Sequence, residues 1–116
     1  MQGGYDFTTS QERWGHDGYG HGTHVAGIIS ALNNDIGVVG VAPGTPLYDV
    51  RIGDDTGAIE MSSAPCGLDW VTGNAVVTGV TVANLSFAGA AIAADHNSCG
   101  STTTALHNAI YSLVSA

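Results

Sequence analysis

A polar, glycine-rich run, Gly15-His16-Asp17-Gly18-Tyr19-Gly20, gives way at His21 to a helical register, and this junction constrains the chain more than any other feature. After His21, the residues Val25, Ile28, Ile29 and Leu32 recur at helical spacing and form one apolar face. The pattern predicts a helix from about His21 to Leu32, ended by a turn around Asn33-Asn34-Asp35, with residues 1–20 as loop. An imidazole at the start of such a helix is held by few contacts and stays partly exposed. Histidine exchanges protons near neutral pH, so His21 is a candidate general base. His24 falls on the face shared with Val25 and Ile28 and reads as a packed, hydrogen-bonded core histidine.

Downstream, Leu47-Tyr48-Asp49-Val50-Arg51-Ile52 reads as a buried strand, approached by a loop that Pro43 and Pro46 bracket. Gly53-Asp54-Asp55-Thr56-Gly57 is a turn cluster. A second helix is expected from the Ser62-Ser63 cap, with Pro65 tolerated in its first turn. It buries Leu68 and Val71 and stops near Gly73-Asn74. Val76 to Ser86, rich in Val and Thr, reads as another strand, and 87–101 as a Gly/Ala/Ser loop. Leu106, Ala109, Ile110, Leu113 and Val114 form the cleanest helical stripe. Strands alternating with helices imply βαβ units and a parallel sheet.

Composition narrows the function. The 116 residues hold two basic and ten acidic side chains, a net charge of −8. That excludes a nucleic-acid partner, which demands clustered Lys and Arg, and equally an anionic membrane surface. No run of 18 apolar residues exists, so nothing in the sequence spans a membrane. Met1-Gln2-Gly3-Gly4-Tyr5-Asp6 lacks the basic and apolar regions of a signal peptide, so a secreted protein would draw its export signal from outside these residues. Sparse charge with abundant small residues suits a secreted hydrolase. Cys66 and Cys99 are either a single disulfide or two separate thiols.

His21-Gly22-Thr23-His24-Val25-Ala26-Gly27, with Ile28 to Pro43 following without a gap, resembles the histidine region of subtilisin-like serine proteases. The resemblance implies a three-layer αβα subtilisin-like α/β fold, present in part, with residues 1–116 a fragment of a catalytic domain. It makes His21 the catalytic base. Gly57, Ala58 and Ile59 resemble the edge segment that pairs with extended substrate, a β-augmentation mode. Val82 to Gly89 resembles a strand end whose backbone lines the primary specificity pocket, here Ser86, Phe87 and Ala88. Leu32, Asn34, Ile36 and Val38 resemble a calcium loop of backbone carbonyls and one asparagine side chain, whereas catalysis itself takes no cofactor. The implied partner is a polypeptide substrate, met outside the cell. Gly53 replaces a residue that is often bulky, and Phe87-Ala88 the more usual Leu-Gly, so the subsites differ from the family's common form.

Acyl transfer by such a site needs a nucleophile, a base, an acid that fixes the base's tautomer, and oxyanion donors. In the family the aspartate lies in a D-[ST]-G strand end before the histidine, and none of the twenty residues before His21 reads as that. The family's serine and oxyanion-hole asparagine belong to G-T-S-M-A and A-G-N segments, also expected outside this chain. Asp17 and Ser86 are the local substitutes to test. His16, Asp17, His21 and His24 suggest zinc only superficially, because the H-E-x-x-H spacing is missing. Two alternatives stand beside an incomplete endopeptidase: a non-catalytic peptide-binding remnant, and a different serine hydrolase pairing His21 with a local serine. A partial parallel sheet also leaves strand edges open to self-association.

Overall fold

The computed structural model describes residues 1–9, 15–60, 62–88 and 104–115. It divides into two compact units, Met1–Glu60 and Met61–Ala116.

The first unit is a βαβ arrangement. Strand β1, Gly3–Asp6, pairs in parallel with β2, Tyr48–Arg51, and helix α1, His21–Ser30, lies between them in sequence. Gly3 pairs with Tyr48 and Asp6 with Arg51, and the ladder is extended by Gln2 N–H to Leu47 C=O at 2.8 Å and Phe7 N–H to Arg51 C=O at 2.9 Å. The parallel pair and the position of β2 agree with the sequence, but β2 is half-buried along its length and not buried. Strand β1 does not, since residues 1–20 read as loop there. Gly4 has room only for hydrogen, because a Cβ would collide with the Asp49 backbone, and this close approach is what the Gly3-Gly4 pair permits. The Tyr5 and Phe7 rings meet at 4.5 Å between centroids.

Helix α1 starts where expected and ends two residues earlier than Leu32. Its final carbonyls are taken up by the returning chain: Gly40, Val41, Ala42 and Gly44 donate to Ala31, Ile28, Ile29 and Ser30 at 2.8–3.1 Å. Gly40 is buried against this helix end, where a Cβ would lie 2.6 Å from the Ser30 and Ala31 nitrogens. The apolar face of α1, expected to be buried, is not: no residue of the helix is buried, and Ile28 and Leu32 are more than half exposed. Backbone hydrogen bonds, not side-chain packing, fix the helix in this unit.

The second unit is a helix pair. Helix α2, Ser63–Thr78, packs on α3, Thr104–Ser115. Ala64, Gly67 and Leu68 of α2 and Ala109 of α3 are its buried residues. Ser62 precedes α2 as expected, but its side chain makes no capping bond. The helix also runs past Gly73-Asn74 to Thr78. Polar residues there bond back to the preceding turn: Thr72 Oγ1 to Leu68 C=O, Asn74 Nδ2 to Trp70 C=O and Thr78 Oγ1 to Asn74 C=O, all at 2.8–2.9 Å. Gly79, at φ 69°, supplies the left-handed cap. The strand expected over Val76 to Ser86 is therefore replaced by helix to Thr78 and by irregular chain from 79 to 88. An open apolar groove of ≈ 700 Å³ runs along Val71, Ala75, Val82, Leu85, Ile110 and Leu113.

Candidate active site

His21 is the first residue of α1 and is exposed. The loop before it is organised by one carboxylate. Asp17 Oδ1 accepts the N–H groups of Tyr19 at 3.2 Å and Gly20 at 2.7 Å, and Oδ2 accepts that of Thr23 at 2.7 Å. Thr23 is in the first turn of α1, so Asp17 satisfies a helix N–H that would otherwise lack a partner. Gly20 occupies the junction at φ 91°, a conformation that favours glycine. The bond from the Thr23 N–H and then that from its hydroxyl, joined by those of Gly20 and Tyr19, hold the Asp17 carboxyl down at about 2 against the opposing effect of burial. Among the described residues no hydrogen bond joins Asp17 to His21; the bonds Asp17 makes are those of a helix cap.

The chain returns beside this loop as a tight turn. Asp54 N–H donates to Ala58 C=O at 2.9 Å and Gly57 N–H to Asp54 C=O at 3.0 Å, while Gly53 and Ile59 form an antiparallel bridge. Asp54 Oδ1 accepts from the Thr56 hydroxyl at 2.7 Å, the Thr56 N–H at 2.8 Å and the Ala58 N–H at 3.0 Å. These bonds, the Thr56 hydroxyl first, lower the Asp54 pKa. The turn expected over Gly53 to Gly57 is thus present. It consumes both backbone groups of Ala58 but leaves the Ile59 N–H and C=O without an intramolecular partner among the described residues.

Arg51, at the end of β2, connects the turn to β1. Its Nη1 donates to Asp6 Oδ2 at 3.2 Å, its Nη2 to Asp55 Oδ1 at 2.6 Å and its Nε to Gly53 C=O at 3.0 Å. Asp6 is 2% exposed. Burial works to raise its pKa, but the Thr8 hydroxyl and N–H bonds and the Arg51 charge together leave it lowered. A strand ending in an aspartate does precede His21, then, yet its carboxylate serves Arg51 and Thr8. Asp55-Thr56-Gly57 has the D-[ST]-G composition, but Asp55 bonds to Arg51 and stands 3.2 Å from His16 Nε2.

The remaining expected positions fall as follows. His24 is exposed, not packed in a core, because nothing in the unit covers that face of α1. No three His, Cys, Asp or Glu side chains converge among the described residues. The 32–38 loop is exposed and turns through Asp35 at φ 62° and Gly37 at φ 68°, with Asn34 Oδ1 accepting the Ile36 N–H at 3.3 Å. Ser86 and Ala88 are exposed and Phe87 half-buried, all in the second unit, where Ser86 Oγ lies 2.9 Å from Asn84 Nδ2. Cys66 is an exposed free thiol and Cys99 lies outside the described residues. Sequence reasoning overlooked Asp6, Arg51, Asp55 and Tyr19. The available signal was weak: Arg51 is one of two basic residues in an acidic chain and so must be shared among carboxylates.

The family model described as the subtilase family, Peptidase_S8, matches residues 5–116. The chain is 44% identical over 89 residues to a subtilisin of Bacillus pumilus, covering 77% of this chain and 31% of that protein. It is 48% identical over 86 residues to Subtilisin Savinase of Lederbergia lenta, covering 74% and 30%. Over 74 residues it is 49% identical to a thermostable alkaline protease of Halalkalibacterium halodurans, covering 64% and 20%. The chain thus spans only 20–31% of the length of these relatives.

Proposed function

The chain belongs to the subtilase family, and from that premise we propose that it carries the base, the substrate edge and a pocket-wall segment of a serine-type endopeptidase. The family implies the three-layer αβα fold, of which the βαβ unit and the helix pair are parts. The observation that carries the reading is His21, exposed at the start of a helix whose N-terminal loop is fixed by Asp17. In the reaction His21 takes the proton of the attacking serine and returns it to the leaving amine. The Ile59 backbone offers a free donor and acceptor to an extended polypeptide, with Gly57 and Ala58 shaping the approach. Ser86, Phe87 and Ala88 form the wall of the pocket for the residue beside the scissile bond.

Aspartate and serine come, in this reading, from segments other than these residues, since His21 has no carboxylate partner among those described. That same observation favours, for the 116 residues alone, peptide binding without turnover. Ser86 is a pocket residue here and not a replacement nucleophile. A structural calcium belongs to the reading as well: the oxygens of Leu32, Asn34, Ile36 and Val38 suit a hard cation, though they are four donors where six to eight are usual. No catalytic step depends on it. No helix among the described residues is long and apolar enough to cross a membrane, and the reading takes the protein as secreted. Strand edges left open invite pairing between copies.

The test is a chimera in which residues 15–60 replace the matching stretch of the Bacillus pumilus subtilisin. Hydrolysis of an internally quenched peptide is expected to persist, and His21→Ala in the chimera to lower kcat on the order of 10^6-fold, the scale on which subtilisin responds to loss of its histidine. The 116 residues alone are expected to give no turnover. Turnover by the chain alone that vanishes in His21→Ala, or a chimera indifferent to that change, would reject the proposal.

A further inference from the structure

The first unit contains a set of contacts that the reaction leaves unused. Asp55 Oδ1 accepts from Arg51 Nη2 at 2.6 Å and stands 3.2 Å from His16 Nε2. The Asp55 carboxylate also fills the space where a side chain on Gly18 would begin. One residue on, the Tyr19 ring lies over Gly57: a Cβ there would come within 2.8–2.9 Å of three ring atoms, and the Gly57 φ of +82° already disfavours one. The loop that ends at His21 and the turn that begins the 57–59 segment are therefore fastened at His16, Gly18 and Tyr19. Asp55 is common to the first two.

An isolated exposed ion pair would count for little, and the His16–Asp55 pair is exposed on both sides. Arg51 changes that balance. It is 14% exposed and already held by Asp6 and the Gly53 carbonyl, so its planar fork is ordered before Asp55 engages it. Close backbone contact at Gly18 then turns a weak charge contact into a geometric one.

We propose that Asp55 is a positioning residue: by tying the base-bearing loop to the Asp54–Gly57 turn, it sets the spacing between His21 and the Ile59 backbone. The proposal rests on reading His21 as the base and 57–59 as the substrate edge. His16 is the auxiliary tie, and Tyr19 the apolar one.

Amide hydrogen exchange on the 116-residue chain tests it, together with titration by a capped hexapeptide of alternating Val and Ala. Asp55→Ala is expected to speed exchange roughly fivefold at Tyr19, Gly20, Gly57 and Ala58, while Gln2 and Phe7 across the β1–β2 pair keep their rates. Peptide affinity is expected to fall by a similar factor and to recover in Asp55→Glu, which keeps the charge. Should Asp55→Ala unfold the unit, Tyr19→Ala opens the other fastening and is expected to give the same local pattern. Unchanged exchange at the loop and turn, or acceleration equal to that at Gln2 and Phe7, overturns the proposal. A parent chain that binds no peptide counts instead against the edge reading, so the two failures are separate.

Discussion

The two units solve the problem of holding a chain together in opposite ways. In the first, organisation comes from side chains bonded to backbone and to each other: Asp17 at the start of α1, Asp54 in the turn, and Arg51 between Asp6 and Asp55. Among the described residues none of the buried hydrophobic side chains lies there. In the second, the buried residues described are the apolar Ala64 and Leu68 on α2 and Ala109 on α3, two helices that pack together. Directional bonds fix geometry at a small net gain each, whereas apolar burial stabilises without specifying orientation. The unit that carries His21 is the one built from directional bonds. That division suits the proposed site, in which an imidazole and a peptide edge keep a set distance.

The sharpest way to break the comparison is at Leu68, 3% exposed and the largest side chain in the buried set. Leu68→Ala removes the bulk of the one long apolar side chain buried among the described residues of that unit and is expected to cost about 3 kcal/mol. With Val76, Val77, Val82 and Val114 each more than four-fifths exposed, the second unit has little other burial to absorb the loss. Amide protection in α2 and α3 is expected to collapse. Equal loss at Gln2 and Phe7 would mean that the two units do not differ as described.

The corresponding change in the first unit is Arg51→Ala. It leaves the Asp6 carboxylate buried with threonine donors but no cation, at a cost of about 2 kcal/mol. Arg51→Lys is expected to recover only part of this, because one ammonium does not span Asp6, Asp55 and the Gly53 carbonyl. Protection of the Gln2 and Phe7 amides reads the effect. Full rescue by lysine would reduce the network to simple charge balance.

What the sequence disclosed follows the same division. The start of α1, strand β2, the turn after it and the stripe of α3 are local patterns, and all were legible. Strand β1 was not, because its partner Tyr48–Arg51 lies some forty residues away and its own Gly3-Gly4 start carries no strand preference. Gly73 and Asn74 read as a helix stop, but the Asn74 amide finds the Trp70 carbonyl and the helix continues. Val76 and Val77 suggested a strand by composition, and with no partner strand they ride on the solvent side of α2. Burial was the least legible property: the stripe on α1 and His24 both indicated a covered face. Periodicity tells which residues share a side, not whether anything packs against it. For the candidate site, the motif singles out His21 as the proposed base, while the ties through Arg51, Asp55 and Tyr19 depend on contacts over more than thirty residues.

The smallest expected effect is the most specific to the first unit. The Asp17 carboxyl is held at about 2, below its ordinary 3.8, by the helix and loop N–H groups it accepts. A lowered native pKa means that the unfolded chain takes up the proton first as pH falls. The stabilisation by Asp17 is therefore complete above about pH 4 and is lost as pH drops through 4 towards 2. Because Asp17 is exposed, solvent screening limits the effect to below about 1 kcal/mol, the ordinary worth of a helix cap. Asp17→Asn keeps an acceptor at the same place but removes the charge. At pH 6 the Thr23 and His24 amides of this variant are expected to exchange a few-fold faster than in the parent, and at pH 2, where the Asp17 carboxyl is about half protonated in the folded chain, the gap is expected to narrow to a small part of that. Asp6 and Asp54 titrate in the same direction but remain in both chains, so the difference isolates Asp17. A gap that persists unchanged at pH 2 would show that the cap works by shape and not by charge, and would weaken the claim that directional electrostatics organise the approach to His21.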